Sequence, residues 1–221
     1  MADHDLEALS PFLREATLCR GETLCSPGDV VESIYCPSSS SIGSAAVMRD
    51  GRAVETATIG YENVAGLLPG LTQMPCPSRM FVQIGGAAIR LPSDKLRARA
   101  AESVTLIDLI LRFAQAGASQ ADQSAACNAL HPLTSRFARW LLTCDDRVDQ
   151  PTMTLTQDDL AVMCGALRSS VSVTASEFKR DGLIRYTRGL IEILDRPGLE
   201  LHACECYASD RVRWRELASA A

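Results

Sequence analysis

The chain has 221 residues, of which 47% are hydrophobic and 22% charged, and a formal net charge of -5. That length suits two ordinary domains and that composition suits a folded globular protein. The acidic balance excludes a protein that coats nucleic acid indiscriminately and leaves room only for a local basic footprint.

The first fifteen residues carry acids and a proline rather than a basic segment followed by an apolar one, so no signal peptide is expected. No apolar run approaches the roughly 20 residues needed to cross a bilayer. The nine cysteines are an odd number in a large chain, which reads as free thiols in the cytoplasm rather than a disulfide framework. A cytoplasmic protein with no membrane partner is the expectation.

Residues 19–91 form a series of short β-type runs separated by turn residues, the pattern of an antiparallel barrel or sandwich. Predicted strands cover 30–36, 42–48, 53–59, 80–84 and 87–91. Pro27-Gly28-Asp29, Arg49-Asp50-Gly51-Arg52 and Gly85-Gly86 supply turn residues that tolerate positive φ, and Asp50-Gly51 is the clearest hairpin signal.

Residues 94–130 contain no proline and a single glycine, and they read as one long helix. Along it Ile107, Ile110, Ala114, Gly117, Ala121 and Ser124 alternate three- and four-residue steps, the seam of a coiled coil. A second stripe of Leu106, Leu109, Phe113 and Ala116 lies beside the first. One stripe can pair with a symmetry mate while the other packs on the β domain; alternatively the whole helix lies on its own domain. His131-Pro132 ends it. A new helix follows, with Leu133, Phe137, Trp140 and Leu141 on one apolar face and Arg136, Arg139 and Arg147 elsewhere. The stretch 145–151 reads as an acidic loop.

Thr156-Gln157-Asp158-Asp159 is a helix start, with Thr156 as N-cap and Asp159 at the capping-box position. The helix it opens is predicted over 158–163. Ala161, Gly165 and Val171 follow at the spacing expected for a small residue where two helices cross, a glycine at the turn, and a core residue on the second helix. That second helix is predicted over 168–180, closed by Asp181-Gly182. The runs 183–186 and 190–193, separated by Thr187-Arg188-Gly189, then form a hairpin. Helix, glycine turn, helix and basic-tipped hairpin make a winged helix-turn-helix.

Between Arg168 and Arg188 the charge balance reverses, with Arg168, Lys179, Arg180, Arg185 and Arg188 against Glu177 and Asp181. In this architecture the start of the second helix enters the major groove of double-stranded DNA. Arg168 can bond a guanine edge in bidentate fashion, while Ser169 and Ser172 read weakly or through water. Thr156, Ser170, Arg185 and Arg188 are expected at phosphates, where they position rather than specify.

The stretch LTQDDLAVMCGALRSSVSVTASEFKRDGLIRYTRGLIEIL, residues 155–194, with Gly165, Arg168 and Val171 in a Gly-x-x-Arg-x-x-Val run, resembles the DNA-binding signature of the Crp/Fnr family of bacterial transcription factors. The Arg136-Phe137-Ala138-Arg139-Trp140-Leu141-Leu142 segment, the preceding long helix and the β-rich region are similar to that family in order and length. The resemblance implies an α+β chain with three parts. Residues 1–93 form an antiparallel, cyclic-nucleotide-binding-like β-roll that senses an effector; 94–130 form a dimerisation helix; 131–221 form the winged helix-turn-helix. It also implies a homodimer on a two-fold operator, with RNA polymerase as a partner if the protein activates. Two places depart from the family pattern. Many members have Glu after the recognition arginine and a second Arg four residues later, where this chain has Ser169 and Val173. Cyclic-nucleotide-binding members carry a Gly-Glu-Leu-type turn and an Arg-Ser or Arg-Thr pair, where this chain has Gly60-Tyr61-Glu62 and Ser78-Arg79 in reversed order.

The cofactor is therefore left unknown, with cyclic AMP disfavoured and Arg79 read as a surface or strand-edge residue. An iron–sulfur cluster is disfavoured too, because Cys19, Cys25 and Cys36 are too widely spaced. The pair Cys204-Glu205-Cys206 reads as packing of a C-terminal helix rather than as metal ligands. No catalytic residue, metal ligand or effector-binding residue is assigned. A cupin-like metalloenzyme needs clustered histidines, and His4, His131 and His202 all lie outside the β region. A protein-interaction module without specific DNA binding is the remaining alternative.

Overall fold

The computed structural model describes residues 1–148 and 150–219. Asp149, in the predicted loop 145–151, and residues 220–221 of the third predicted part lie outside the described residues. A short helix α1 (Asp3–Leu9) and a 3-10 turn (Ser10–Phe12) precede the strands. One antiparallel sheet is ordered β1 (Arg14–Leu18), β7 (Gly86–Pro92), β3 (Ser33–Pro37). The other is ordered β2 (Thr23–Cys25), β6 (Arg79–Ile84), β4 (Ser41–Val47), β5 (Ala53–Ile59). Leu18, Ile42, Met80, Val82 and Ala88 fill the roll between them.

All five predicted strands are present, but the first begins only at Ser33. Strands β1 and β2 are not legible in the sequence pattern. Residues 14–18 carry no clean apolar alternation, and their pairing with β7, Arg14 opposite Arg90 through Leu18 opposite Gly86, is set across the fold. Gly28 and Gly51 take φ of +96° and +85°, as the turns require. Gly85 and Gly86 do not need positive φ. A Cβ on Gly86 would lie 2.5 Å from the Ser39 carbonyl oxygen, so close backbone approach is what demands glycine there.

A six-residue helix α2 (Leu67–Thr72) sits between β5 and β6. The single helix predicted over 94–130 is broken into α3 (Ser93–Ala100) and α4 (Val104–Leu130). Ser103 makes the break. Its hydroxyl accepts the Leu106 N–H at 3.2 Å as N-cap of α4 and donates to buried Asp5 at 3.0 Å. Arg99 and Thr105 also donate to Asp5, at 2.7 and 2.8 Å, and these bonds outweigh the burial that would raise its carboxyl, so its pKa is lowered.

The remaining chain is a helical domain with a three-stranded wing. Helix α5 (Leu133–Asp145) leads to β8 (Met153–Thr154), α6 (Gln157–Cys164) and α7 (Arg168–Arg180). Strands β9 (Ile184–Thr187) and β10 (Leu190–Ile193) pair antiparallel, with β8 on the far side of β10. Helices α8 (Arg196–His202) and α9 (Cys206–Ser219) close the structure. Phe137, Trp140, Leu160, Met163, Val171, Phe178 and Ile191 form one apolar core, in which the Phe137 and Phe178 rings meet edge-on at 5.2 Å.

The two halves are in contact. Ile84 of the roll joins the helical core. Arg147 pairs with Glu62 at 2.7 Å, Arg20 pairs with Asp159, and Gln120 of α4 donates to the Thr58 carbonyl at 3.3 Å. Among the described residues, no helix is long and apolar enough to cross a membrane.

Candidate nucleic-acid interface

The capping box that opens α6 is present in both directions: Thr156 accepts the Asp159 N–H at 3.2 Å, and Asp159 accepts the Thr156 N–H at 2.7 Å. The Thr156 hydroxyl also donates to Asp159 at 2.8 Å, so this side chain is engaged in the cap. Gly165 takes φ of +57° and turns the chain between α6 and α7. A Cβ there would stand 3.2 Å from Val54 of the β4–β5 hairpin, so the turn is pressed against the roll as well as left-handed. Arg136 braces the same corner, donating to the Cys164 carbonyl at 2.6 Å and to Asn128 at 3.2 Å. Sequence reasoning placed Arg136 merely off an apolar face; its partner carbonyl at the end of α6 could not be read from spacing.

Helix α7 has two unlike faces. Val171, Thr174, Ala175 and Phe178 are buried in the core. Arg168, Ser169, Ser170 and Val173 are exposed, while Ser172 is half-buried and accepts from the Gln157 side chain at 3.1 Å. Unlike α6, α7 has no side-chain cap at Leu167, so its first N–H groups are open at the end where the helix dipole is positive. Arg168 lies 3.3 Å from Asp158, with both side chains largely exposed. Such a surface pair is worth about 0–1 kcal/mol, so it holds the guanidinium only loosely.

On the wing, Arg188 and Gly189 form a two-residue loop with φ of +52° and +81°, the conformation of a type I′ turn. This puts Arg188 at the exposed tip. Arg185 is tied across the hairpin to Glu192, its register partner.

The sites named by family likeness in the roll are otherwise engaged. Glu62 accepts from Arg147 of the helical half, and Arg79 lies over the Phe81 ring at 5.0 Å. Along α4, Ile110 is 3% exposed and packs with Leu9, Ile34 and Leu91 of its own domain. Gly117 faces Asn63, and Ser124 is buried. The predicted seam therefore mixes two faces. Positions 110, 117 and 124 turn toward the chain's own body, whereas Ile107, Ala114 and Ala121 flank an outward row of Leu111, Ala118 and Ala125. The pair Cys204 and Cys206, read as helix packing, is brought against Cys127 and His131, a convergence the sequence reading missed.

A helix start without a side-chain cap, carrying Arg168, beside a hairpin tip carrying Arg188 and mounted on an apolar core, is the geometry of a winged helix. Residues 135–201 match the family of Crp-like helix-turn-helix domains. In overall structure the chain is similar to FixK2 from Bradyrhizobium japonicum, at 17% identity and a TM-score of 0.73, over 87% of this chain and 98% of that one. It is similar as well to a CRP/FNR-family transcriptional regulator from Thermus thermophilus, at 20% identity and a TM-score of 0.69, over 86% and 98% of the two chains. A third likeness is to the c-di-GMP responsive global regulator CLP from Xanthomonas campestris, at 14% identity and a TM-score of 0.67, over 88% and 100%. No curated protein matches the chain in sequence. The chain has the Crp/Fnr transcription-regulator fold and carries a Crp-like helix-turn-helix DNA-binding domain.

Proposed function

We propose that the protein acts as a homodimeric transcription regulator that reads a two-fold operator with α7 and is controlled through its β-roll. The observation that carries this reading is the division of α7 into a buried apolar face and an exposed face whose uncapped first turn presents Arg168, Ser169 and Ser170. Arg168 contributes the direct base contact, bidentate to guanine, and the two serines approach bases or phosphates. The open N–H groups of α7 and the wing residues Arg185 and Arg188 hold the backbone. Thr156 contributes by fixing the start of α6 rather than through a free hydroxyl.

The second copy is expected on the outward face of α4. Ile107, Ala114 and Ala121 sit beside Leu111 and Ala118 at coiled-coil spacing, and small residues permit close helix approach. Leu111 is 61% exposed within a single chain, which a partner helix would cover. Control passes from the roll to α7 through groups both halves share: Gln120 on Thr58, Glu62 on Arg147, Arg20 on Asp159.

Selection from a random duplex pool at low salt tests this reading. The expected product is a palindrome with half-sites about one helical turn apart, bound with an affinity that falls steeply as salt displaces phosphate contacts. Enrichment of no sequence by a purified dimer would instead favour a winged helix used for protein contacts.

A further inference from the structure

The last turn of α4, its C-cap and the segment joining α8 to α9 bring four side chains together: Cys127, His131, Cys204 and Cys206. Their donor atoms all lie within 4.8 Å of one another. Cys127 Sγ is 3.5 Å from Cys204 Sγ, and Cys206 Sγ is 3.5 Å from His131 Nδ1. We propose that these four residues form a closed structural zinc site of the Cys3His type, fastening the end of α4 to the C-terminal helices.

Four observations support it. With zinc–sulfur bonds of about 2.3 Å, a tetrahedral site needs ligand atoms roughly 3.8 Å apart, close to the spacing here. Ligands of an iron–sulfur cluster must span several atoms and stand further apart. Second, the thiols are enclosed, with Cys127 and Cys206 at 0% exposure and His131 half-buried, and four protein ligands would complete a tetrahedral shell and leave no position for substrate. That is the structural rather than the catalytic pattern.

Third, the outer partners are those a metal site needs. His131 turns Nδ1 toward the thiols, while Nε2 stands 3.1 Å from Glu205, a carboxylate that fixes the ring and its tautomer. Gln123 donates to Cys206 Sγ at 3.0 Å, a bond that favours thiolate. Fourth, the charges match. Arg139 is fully buried beside the thiols and interacts with Cys127; it donates to Ser124 at 3.0 Å and Asp210 at 3.3 Å, and among the described residues its Nε and Nη1 have no nitrogen or oxygen partner. Asp210 is shared with Arg213, so its carboxylate does not serve Arg139 alone. Zinc held by three thiolates and a neutral imidazole carries one negative charge, for which the buried Arg139 guanidinium is a favourable neighbour. A disulfide between Cys127 and Cys204 would leave His131, Cys206 and Arg139 without this shared purpose.

The test is elemental analysis of the intact protein purified under reducing conditions, with zinc and then cobalt(II) titrated into any metal-free fraction. One zinc per chain is expected, and cobalt should give the intense ligand-field bands of tetrahedral thiolate coordination. Glu205→Gln, which leaves every ligand in place, should weaken zinc about 10- to 100-fold in competition with a chromophoric chelator. Cys204→Ser combined with Cys206→Ser should abolish retention, whereas Cys19→Ser at an exposed cysteine should not. The proposal is overturned if the folded protein takes up neither metal, if its Cys127–Cys204 disulfide persists under reduction, or if the double variant keeps its zinc. A visible iron–sulfur spectrum would overturn it as well.

Discussion

The interior beneath α7 is apolar, with Phe137, Leu160, Val171 and Phe178 packed into one cluster, whereas the seam between the roll and α4 encloses Glu55, Thr58, Gln83 and Gln120. Thr58 donates to Glu55 at 2.6 Å, Gln83 donates to it as well, and Gln120 reaches the Thr58 carbonyl from α4. An apolar core has one well-packed arrangement and holds the exposed face of α7 rigidly. A buried hydrogen-bonded network depends on protonation and on each partner being satisfied, so it responds to conditions. The helical half is thus built as a platform, and the seam as the part that responds to conditions.

Breaking the platform should have the largest effect. Phe137→Ala removes a fully buried ring and its edge-on contact with Phe178, and should cost about 3–5 kcal/mol, read as a lowered midpoint in denaturant with loss of DNA binding.

The seam should show itself as pH dependence. Burial pushes the Glu55 carboxyl up to about 8 from an ordinary 4.5; the Thr58 hydrogen bond and the Arg139 and Arg147 charges oppose that rise, while Asp159 adds to it. The folded protein therefore holds a proton that the unfolded chain loses above about pH 4.5. The resulting stability is complete below that pH and is lost as pH rises through about 8. Thermal melts of the native protein should fall between pH 5 and pH 8.5 by the equivalent of about 4 kcal/mol, and Glu55→Gln should flatten that slope. Equal slopes would mean that another group sets it. A smaller change is expected at Thr156→Ala, which deletes the N-cap of α6 and should lower stability by about 1 kcal/mol, with Thr156→Ser largely restoring it.

The same contrast explains what the sequence disclosed. In the recognition half the signals are local. Thr156 and Asp159 cap each other three residues apart, Gly165 and Gly182 mark turns by their own φ, and α7 lies where its pattern placed it. In the roll and along α4 the deciding partners are distant. Strand β1 exists because of β7, and the helix break at Ser103 is secured by Asp5, nearly a hundred residues away in sequence. A heptad count cannot tell Ile110, buried in its own domain, from Ile107, half-buried at the rim of the same cluster. The cysteine and histidine cluster was hidden for the same reason, since Cys127 and Cys204 are 77 residues apart. Cys127 and His131, four residues apart at the end of one helix, were the available clue.

Base reading by Arg168 at the start of α7 is probed most directly by measuring Arg168→Ala against a selected operator and against unrelated duplex at one salt concentration. The expected result is a loss of about 5- to 150-fold on the operator, corresponding to about 1–3 kcal/mol, with little change on unrelated DNA. Equal losses on both would make Arg168 a phosphate contact and remove the direct base contact from α7.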